Sequence, residues 1–385
     1  MIARNYFSTH PVLRYAIEEI VIAHRADSMI TQSDFILIAV APHYPIEQIS
    51  HFIQTYFKTD QFLAFHAVDA FSGMETVSGI AMCMMQFERK GSIKTLILDD
   101  IFDNLSEAID ITVDYLEANR DATHFLFAGL CENRFAYFVD ALEKSDLDKA
   151  VFSKLVGGVC SGLHNPRTGE VETYQATSDR IIKNGFALVS FCECDSVMSV
   201  SLGFKPVGVS YTVNEASENR VISIDDNRSF VYTIDKLTRD IPDFEIRHLW
   251  YCPIVLLDEK EGYVSVVRTF KEIHKDSIEF FGPIKVGSRF KLSYAEPSNL
   301  LEADVKSAER VLDLMPEVDL AFNFSCIARQ YALDTRQHEE ALVYSTHLNA
   351  PLFGFFTFGE IGPDKKHTGL KFYNETSLLT GIKER

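Results

Sequence analysis

Apolar and polar positions fall along the chain in blocks whose period changes. Leu13, Ala16, Ile17, Ile20 and Val21 recur at helical spacing, which predicts an N-terminal helix with these five side chains on its buried face. Phe35–Ala41 is then an unbroken apolar run stopped by Pro42, the pattern of a strand covered on both faces as in parallel sheets. Ile46, Ile49, Ile53, Tyr56 and Phe57 mark a second helical stripe, and a second apolar run spans Phe62–Val68. This strand–helix–strand pattern recurs twice. Phe125–Gly129 is followed by a helix from about Arg134 to Glu143 and by the run Lys154–Cys160. Leu320–Phe324 is followed by a helix from about Thr335 to Tyr344 and by Pro351–Phe358. The spacing of the three units is irregular, so a motif is reused without forming a solenoid.

Between the first two units the pattern predicts a strand at Ile80–Phe87 and a helix with Leu105, Ala108, Ile109, Thr112, Val113 and Leu116 inside. Asp99, Asp100, Asp103, Glu107, Asp110 and Asp114 lie on or near its outer face, which reads as a solvated surface or as a contact face for a partner. After Cys160 the Asn165–Gly169 turn and the run Gly185–Phe191 read as a hairpin. Residues 207–295 carry short strands and turns, and Leu301, Val305, Ala308 and Leu312 mark a helix over about 299–314 that Asn299 and Glu302 would cap. The expected architecture is α/β: two related halves, 1–195 and 200–385, joined near 195–206, with mixed or parallel sheets flanked by helices.

Composition narrows the function. The chain of 385 residues is 46% apolar and 24% charged, ordinary globular values that exclude a disordered chain. Its formal net charge of −18, with no basic stripe, argues against nucleic-acid partners and anionic membrane surfaces. No apolar run approaches the ~18 residues of a membrane span, and the N-terminus lacks a signal-peptide core. Seven cysteines without a CxxC pair read as reduced thiols, which suits the cytoplasm. No phosphate-binding loop, GxGxxG turn, HExxH helix or GxSxG elbow occurs, so no catalytic motif is found and the expectation is a protein that is not an enzyme.

Ligands of open α/β sheets bind beyond the carboxyl ends of strands. That rule selects His66 and Asp69 in the first unit. In the second it selects Cys131, Glu132 and Asn133, then Cys160, Ser161, Gly162 and His164; in the third, Ser325, Cys326 and Arg329, then Thr357, Gly359 and Glu360. Gly158 and Gly359 would let a ligand approach closely, or simply form tight turns. Cys326 beside Arg329 reads as an activated thiolate or as an inert buried thiol. Arg329 and Glu360 read as a buried ion pair, or as the receivers of a ligand's carboxylate and amine. His66 sits inside an apolar strand, as a core histidine or a haem ligand, and His164 lies in a turn.

The stretches Phe322–Arg329, Pro351–Pro363 and Phe372–Ser377 resemble the C-terminal half of FIST-domain proteins: an apolar strand ending S-C-x-x-R, a G-F-x-x-x-G-E-I strand end and a late N-x-T. Leu155–Gly162 is similar to the G-G-x-x-G-D element of the FIST N-terminal half, and Leu202–Pro206 to the segment joining the halves. The sequence departs from the family at Phe65–Phe71, where a G-C-S-T-x-G-E stretch is usual, and at Leu163, where the family has Asp. The resemblance implies an intracellular sensory protein binding a small ligand such as an amino acid at Arg329, Cys326, Glu360, Gly359, Gly158, Cys160 and Ser161. It also implies a separate signalling partner: a histidine kinase, a cyclic-di-GMP enzyme or a chemotaxis receptor. The alternative it carries is a haem-binding nitric-oxide sensor, with His66 or His164 as the iron ligand.

Overall fold

The computed structural model describes residues 1–27, 29–30, 32–163, 171–258 and 264–385. Each of the three apolar units forms a parallel strand pair. Phe35–Val40 lies beside Phe62–His66, Thr123–Ala128 beside Leu155–Val159, and Leu320–Cys326 beside Leu352–Thr357. A parallel pair needs a long crossover, and helices Ile49–Phe57, Phe135–Glu143 and Glu339–Leu348 supply it. The predicted α/β class with mixed sheets flanked by helices is what forms.

Every pair nucleates a separate mixed sheet of six strands. In the first, Ile80–Gln86 pairs antiparallel with Phe35–Val40 and with Ile2–Ser8. In the second, Phe186–Phe191 lies between Thr123–Ala128 and the edge strand Ile93–Leu98. In the third, Ser377–Glu384 lies between Leu320–Cys326 and Cys194–Ser201. The expected hairpin after Cys160 is therefore not made: Phe186–Phe191 pairs with the first strand of its unit, not the second. The sheets also cross the boundary between the halves. Ala70–Ser72 joins the third sheet through Leu352–Thr357, and Glu360–Pro363 joins the second through Leu155–Val159. A fourth, antiparallel sheet is built from residues 205–294 around its own apolar cluster of Val213, Val221, Phe230, Phe270, Phe280 and Phe290.

The outer face of each parallel pair is covered by helices. Leu13–Ala26 buries the five residues that its spacing singled out. Leu105–Ala118 and Pro297–Leu314 cover the second and third sheets. The Pro297–Leu314 helix starts earlier than its sequence suggests. Pro297 takes the first turn, where its missing N–H costs nothing, so Asn299 and Glu302 lie inside the helix and not at its cap.

The inner faces of all three sheets share one core, dominated by phenylalanine. Phe65, Phe127 and Phe355, one from each unit, meet with ring centroids 4.6–6.0 Å apart. Phe125 meets Phe322 at 4.8 Å, Phe191 at 5.0 Å and Phe324 at 5.6 Å. Strands covered on both sides this way must be apolar at every position, which explains the unbroken runs in the sequence. Phe125→Ala removes the ring joining the second and third sheets and is expected to cost about 3–5 kcal/mol. The check is a lowered denaturation midpoint at an unchanged denaturant slope.

Candidate functional site

Two chain crossings bring the chemistry of the third unit together. The chain leaves the third sheet at Thr357, passes Phe358–Gly359 and enters the second sheet at Glu360. It returns through Asn374–Thr376 and re-enters the third sheet at Ser377. Both crossings are stitched by backbone hydrogen bonds: Phe358 N–H to Val159 O and Val159 N–H to Gly359 O, both 2.9 Å, and Cys326 N–H to Thr376 O, 2.9 Å. The end of Leu320–Cys326 thus faces both crossings.

On one side of this strand end lies a buried ionic network. Arg329 is fully buried. Its Nη2 donates to Asp304 Oδ2 at 2.5 Å and to Leu300 O at 3.2 Å, and its Nε donates to Glu340 Oε2 at 3.3 Å. Asn323 donates to Glu340 at 2.9 Å, Ser377 donates to Asn323 at 2.8 Å, and Tyr344 donates to Asp304 at 2.8 Å. Burial lifts the Asp304 carboxyl, and the Arg329 charge opposes that rise. The expected pairing of Arg329 with Glu360 is not made. Its partners come instead from helices Pro297–Leu314 and Glu339–Leu348, each of which turns one acid inward among apolar residues.

On the other side lie Cys326, Glu360 and Glu375, all fully or almost fully buried. Glu360 Oε1 accepts from Thr357 at 2.5 Å, and Oε2 accepts from the Thr376 hydroxyl at 2.6 Å and amide at 3.3 Å. Glu375 Oε1 accepts from Thr269 of the fourth sheet's margin at 2.9 Å. Burial pushes both carboxyls up to about 8. Hydrogen bonds to Glu360 limit the rise; at Glu375 the Thr269 hydrogen bond and the Arg329 charge oppose it, while Glu360 adds to it. Burial and these two carboxyls also hold the Cys326 thiol well above its usual range. The activated-thiolate reading is therefore corrected: the nearest charged groups are acids, not a free guanidinium.

Four buried polar atoms here have no partner among the described residues: Arg329 Nη1, Glu375 Oε2, Ser325 Oγ and Asn374 Oδ1. Glu375 also holds a left-handed backbone, φ +57°, which costs energy for a residue with a side chain. Sequence reading missed Asn374 and Glu375 as site members, although both fall inside the N-x-T stretch it quoted.

The remaining predicted residues hold the three units together. Ser161 accepts from Val68 N–H at 2.9 Å and donates to Phe356 O at 2.5 Å, joining the ends of all three parallel pairs. Asp69 accepts from Ser78 and, at 2.7 Å, from Gln330. The stretch that departs from the family pattern is thereby tied to the helix carrying Arg329. Cys160 accepts from Gln175 at 3.3 Å, and burial pushes its thiol up to about 12. Both glycines are filled against by protein: a Cβ on Gly158 would meet Thr357 at 2.4 Å, and one on Gly359 the Phe372 ring at 2.2 Å. Beside Gly359 a cleft of about 10 Å³, roughly the space of one water, is lined by Asn133, Val159, Phe281, Phe358 and Phe372. Cys131, Glu132 and Asn133 at its rim are three consecutive left-handed residues. Arg268, missed in the sequence, is buried and has carbonyl partners alone among the described residues; it donates to Phe372 O at 3.0 Å and to Pro283 O at 3.2 Å, and burial lowers it to about 10.

His66 does not join this site. Phe62 and Ala64 pack under the helices while Leu63 and Phe65 face the central core, so alternation turns His66 toward the helices. It is 5% exposed, edge-on to Tyr174 at 5.5 Å, with neither ring nitrogen partnered among the described residues, and burial lowers it to about 4. A neutral imidazole is a chemically suitable iron ligand, but a porphyrin needs a pocket of several hundred Å³. The ring is enclosed among the described residues, and neither the 10 Å³ cleft nor the 140 Å³ groove touches it, so a porphyrin at His66 would need its neighbours to move apart. His164 lies outside the described residues.

Two outcomes follow from the buried charges. Arg329→Met leaves Asp304 and Glu340 without their cation and is expected to destabilise the fold by about 3–5 kcal/mol in urea titration. The Glu360 and Glu375 carboxyls keep their protons to about pH 8 in the folded chain, against an ordinary value of 4.5. Between those values the native state binds more protons than the unfolded state, so stability falls as pH rises through this window. Glu375→Gln is expected to flatten that slope, read as the denaturation midpoint from pH 5 to 9.

Comparison with known proteins agrees with this geometry. A FIST N domain matches residues 34–227, and a FIST C domain matches residues 236–363. An uncharacterized protein of Aquifex aeolicus (strain VF5) is 30% identical over 260 residues, covering 67% of this chain and 95% of the relative. The chain therefore belongs to the FIST-domain family, whose domains are associated with sensing in signal transduction.

Proposed function

We infer that this chain binds a small zwitterionic metabolite, an α-amino acid or a close relative, between Arg329 and Glu375 and passes its bound state to a separate signalling protein. One observation carries the reading. A guanidinium nitrogen and a carboxyl oxygen, both fully buried, have no partner among the described residues, and the Arg329 charge acts on Glu375. An unpaired buried polar atom costs about 1–3 kcal/mol, so two of complementary character flanking one strand end support binding of a polar guest that would satisfy both. A ligand carboxylate satisfies Arg329 Nη1. A ligand ammonium satisfies Glu375 Oε2 and, by its charge, draws the proton off Glu375 or Glu360.

Thr357, Thr376 and Thr269 hold the acids in place, and Asp304 with Glu340 hold the guanidinium. No catalytic step is assigned to these residues. The cleft walled by Phe281, Phe358 and Phe372 is about 10 Å³, so entry by that route would require Phe372 to swing aside. A histidine kinase, a cyclic-di-GMP enzyme or a chemotaxis receptor is the kind of partner that family membership supports.

A thermal-shift series with the common amino acids tests the reading. A ligand at about 100 times its dissociation constant adds about 2.7 kcal/mol and raises the melting temperature by several degrees. The matching amine without a carboxylate, and the matching acid without an amine, are expected to give little. Glu375→Gln is expected to keep the fold and lose the shift. Equal stabilisation of Glu375→Gln and the parent, or no stabilising amino acid, would sink the proposal.

A further inference from the structure

The groove at the opposite, amino-terminal end of the first parallel pair has no role in the site above. It has a volume of about 140 Å³, and its floor is Phe35, Phe62 and Leu63 of the first sheet. Its far wall is Ile97, Ala187 and Val189 of the second sheet. Asp60 and Asp179 stand on its rim. Among the described residues Asp60 accepts from Gln54 alone, through one oxygen, and Asp179 accepts from Thr177 and Arg180.

A second, independent feature borders it. Ile93–Leu98 is the edge of the second sheet, paired on one side with Phe186–Phe191 and with no strand on its other side among the described residues. Its six residues give an open edge about 20 Å long. Such an edge presents unpaired N–H and C=O groups, and proteins normally blunt it with a charged side chain, above all lysine, or with proline, a bulge or a cover. This one has neither proline nor bulge and keeps register with its neighbour throughout; its one charged residue, Lys94, donates to Asn119 Oδ1 at 2.7 Å. Thr95 and Ile97 of the same strand turn into the groove. An added strand would pair with the edge and drop alternate side chains onto the phenylalanine floor.

Charge selects the partner. Asp99, Asp100 and Asp103 continue from the strand's end, all exposed, and the whole chain carries −18. An acidic partner segment is repelled; a basic one is drawn in. We propose that Ile93–Leu98 and the groove beside it form the docking edge for an extended segment of a partner protein that alternates apolar and basic residues. This edge is distinct from the ligand site and stands whether or not an amino acid binds there.

The test uses a fluorescein-labelled peptide, Val-Lys-Val-Lys-Val-Lys, with two controls: a Val-Glu repeat and a Val-Lys repeat N-methylated on alternate amides. In near-physiological salt the Val-Lys probe is expected to bind the full chain, and both controls are expected to bind at least about tenfold more weakly. Hydrogen exchange is expected to show new protection of amides within residues 93–98. Asp60→Lys is expected to weaken the probe about tenfold, the loss expected for removing an attractive charge and adding a repulsive one. Four results would overturn the proposal. They are no binding of the Val-Lys probe at millimolar concentration, equal binding of the N-methylated peptide, binding without protection at 93–98, and a groove occupied instead by a simple organic cation such as benzylamine.

Discussion

The contact of Phe65, Phe127 and Phe355 is the constraint from which the rest follows. Each ring belongs to a different parallel pair, and each pair has helices on its outer face only. The inner face of any one pair is apolar and has no cover of its own. Burying a phenylalanine side chain is worth about 1.5–3 kcal/mol, so a unit standing alone would leave many kcal/mol unrealised. Three units facing inward resolve this together. That arrangement also explains why strands are exchanged across the boundary near residue 200: a shared core imposes no reason for each sheet to use only its own half of the chain.

The same packing forces charge into the interior. Strand ends that would meet water in an open sheet here meet another sheet and the helices over it, so Glu360 and Glu375 at the crossings and Arg329, Asp304 and Glu340 on the helices beside them are all buried. Desolvating five ionisable groups is tolerable only when they satisfy one another. Asp304, Arg329 and Glu340 do so through Asn323, Tyr344 and Ser377, except at Arg329 Nη1. Glu360 does so with two threonines and stays protonated near neutral pH. The other incomplete member is Glu375, strained in its backbone and open at one oxygen among the described residues, and strain persists where the surroundings over-determine it. Fold stability alone would favour glycine or asparagine at that position, with no carboxyl to desolvate.

Much of this was legible in the sequence, and the boundary has a physical cause. The parallel pairs were readable because a strand covered on both faces leaves a local record, an uninterrupted apolar run such as Phe35–Ala41. Helix faces were readable because Leu13, Ala16, Ile17, Ile20 and Val21 keep a local period. Cys326, Arg329 and Glu360 were placed at strand ends by the same reasoning. What failed were the contacts between units. Nothing near Phe186–Phe191 shows that it will pair with Thr123–Ala128 and skip Leu155–Val159. Arg329 was assigned to Glu360 because both lie at strand ends, but it takes its acids from two helices. A signal did exist: Asp304 lies in the stripe of Leu300, Leu301, Ala308 and Val311, and Glu340 beside Ala341 and Tyr344. An acid within an apolar stripe needs a buried partner, and Arg329 was the cation left over.

Sensing requires that a binding event change the balance between two arrangements, and a ligand does so only by contacts it makes in one and not the other. The crossing at Asn374–Thr376 meets that condition better than any other described segment. It carries the left-handed Glu375, and Phe372 immediately before it closes the cleft. Arg268 pins the Phe372 carbonyl from the fourth sheet, and Thr269, the next residue, holds Glu375. The fourth sheet therefore grips this crossing at two adjacent points, whereas the three inner sheets are locked by their common phenylalanine core. A guest that moved Phe372 and ionised Glu375 would work against the weaker of these two attachments. The packed inner core would resist, and the displacement would pass to the fourth sheet.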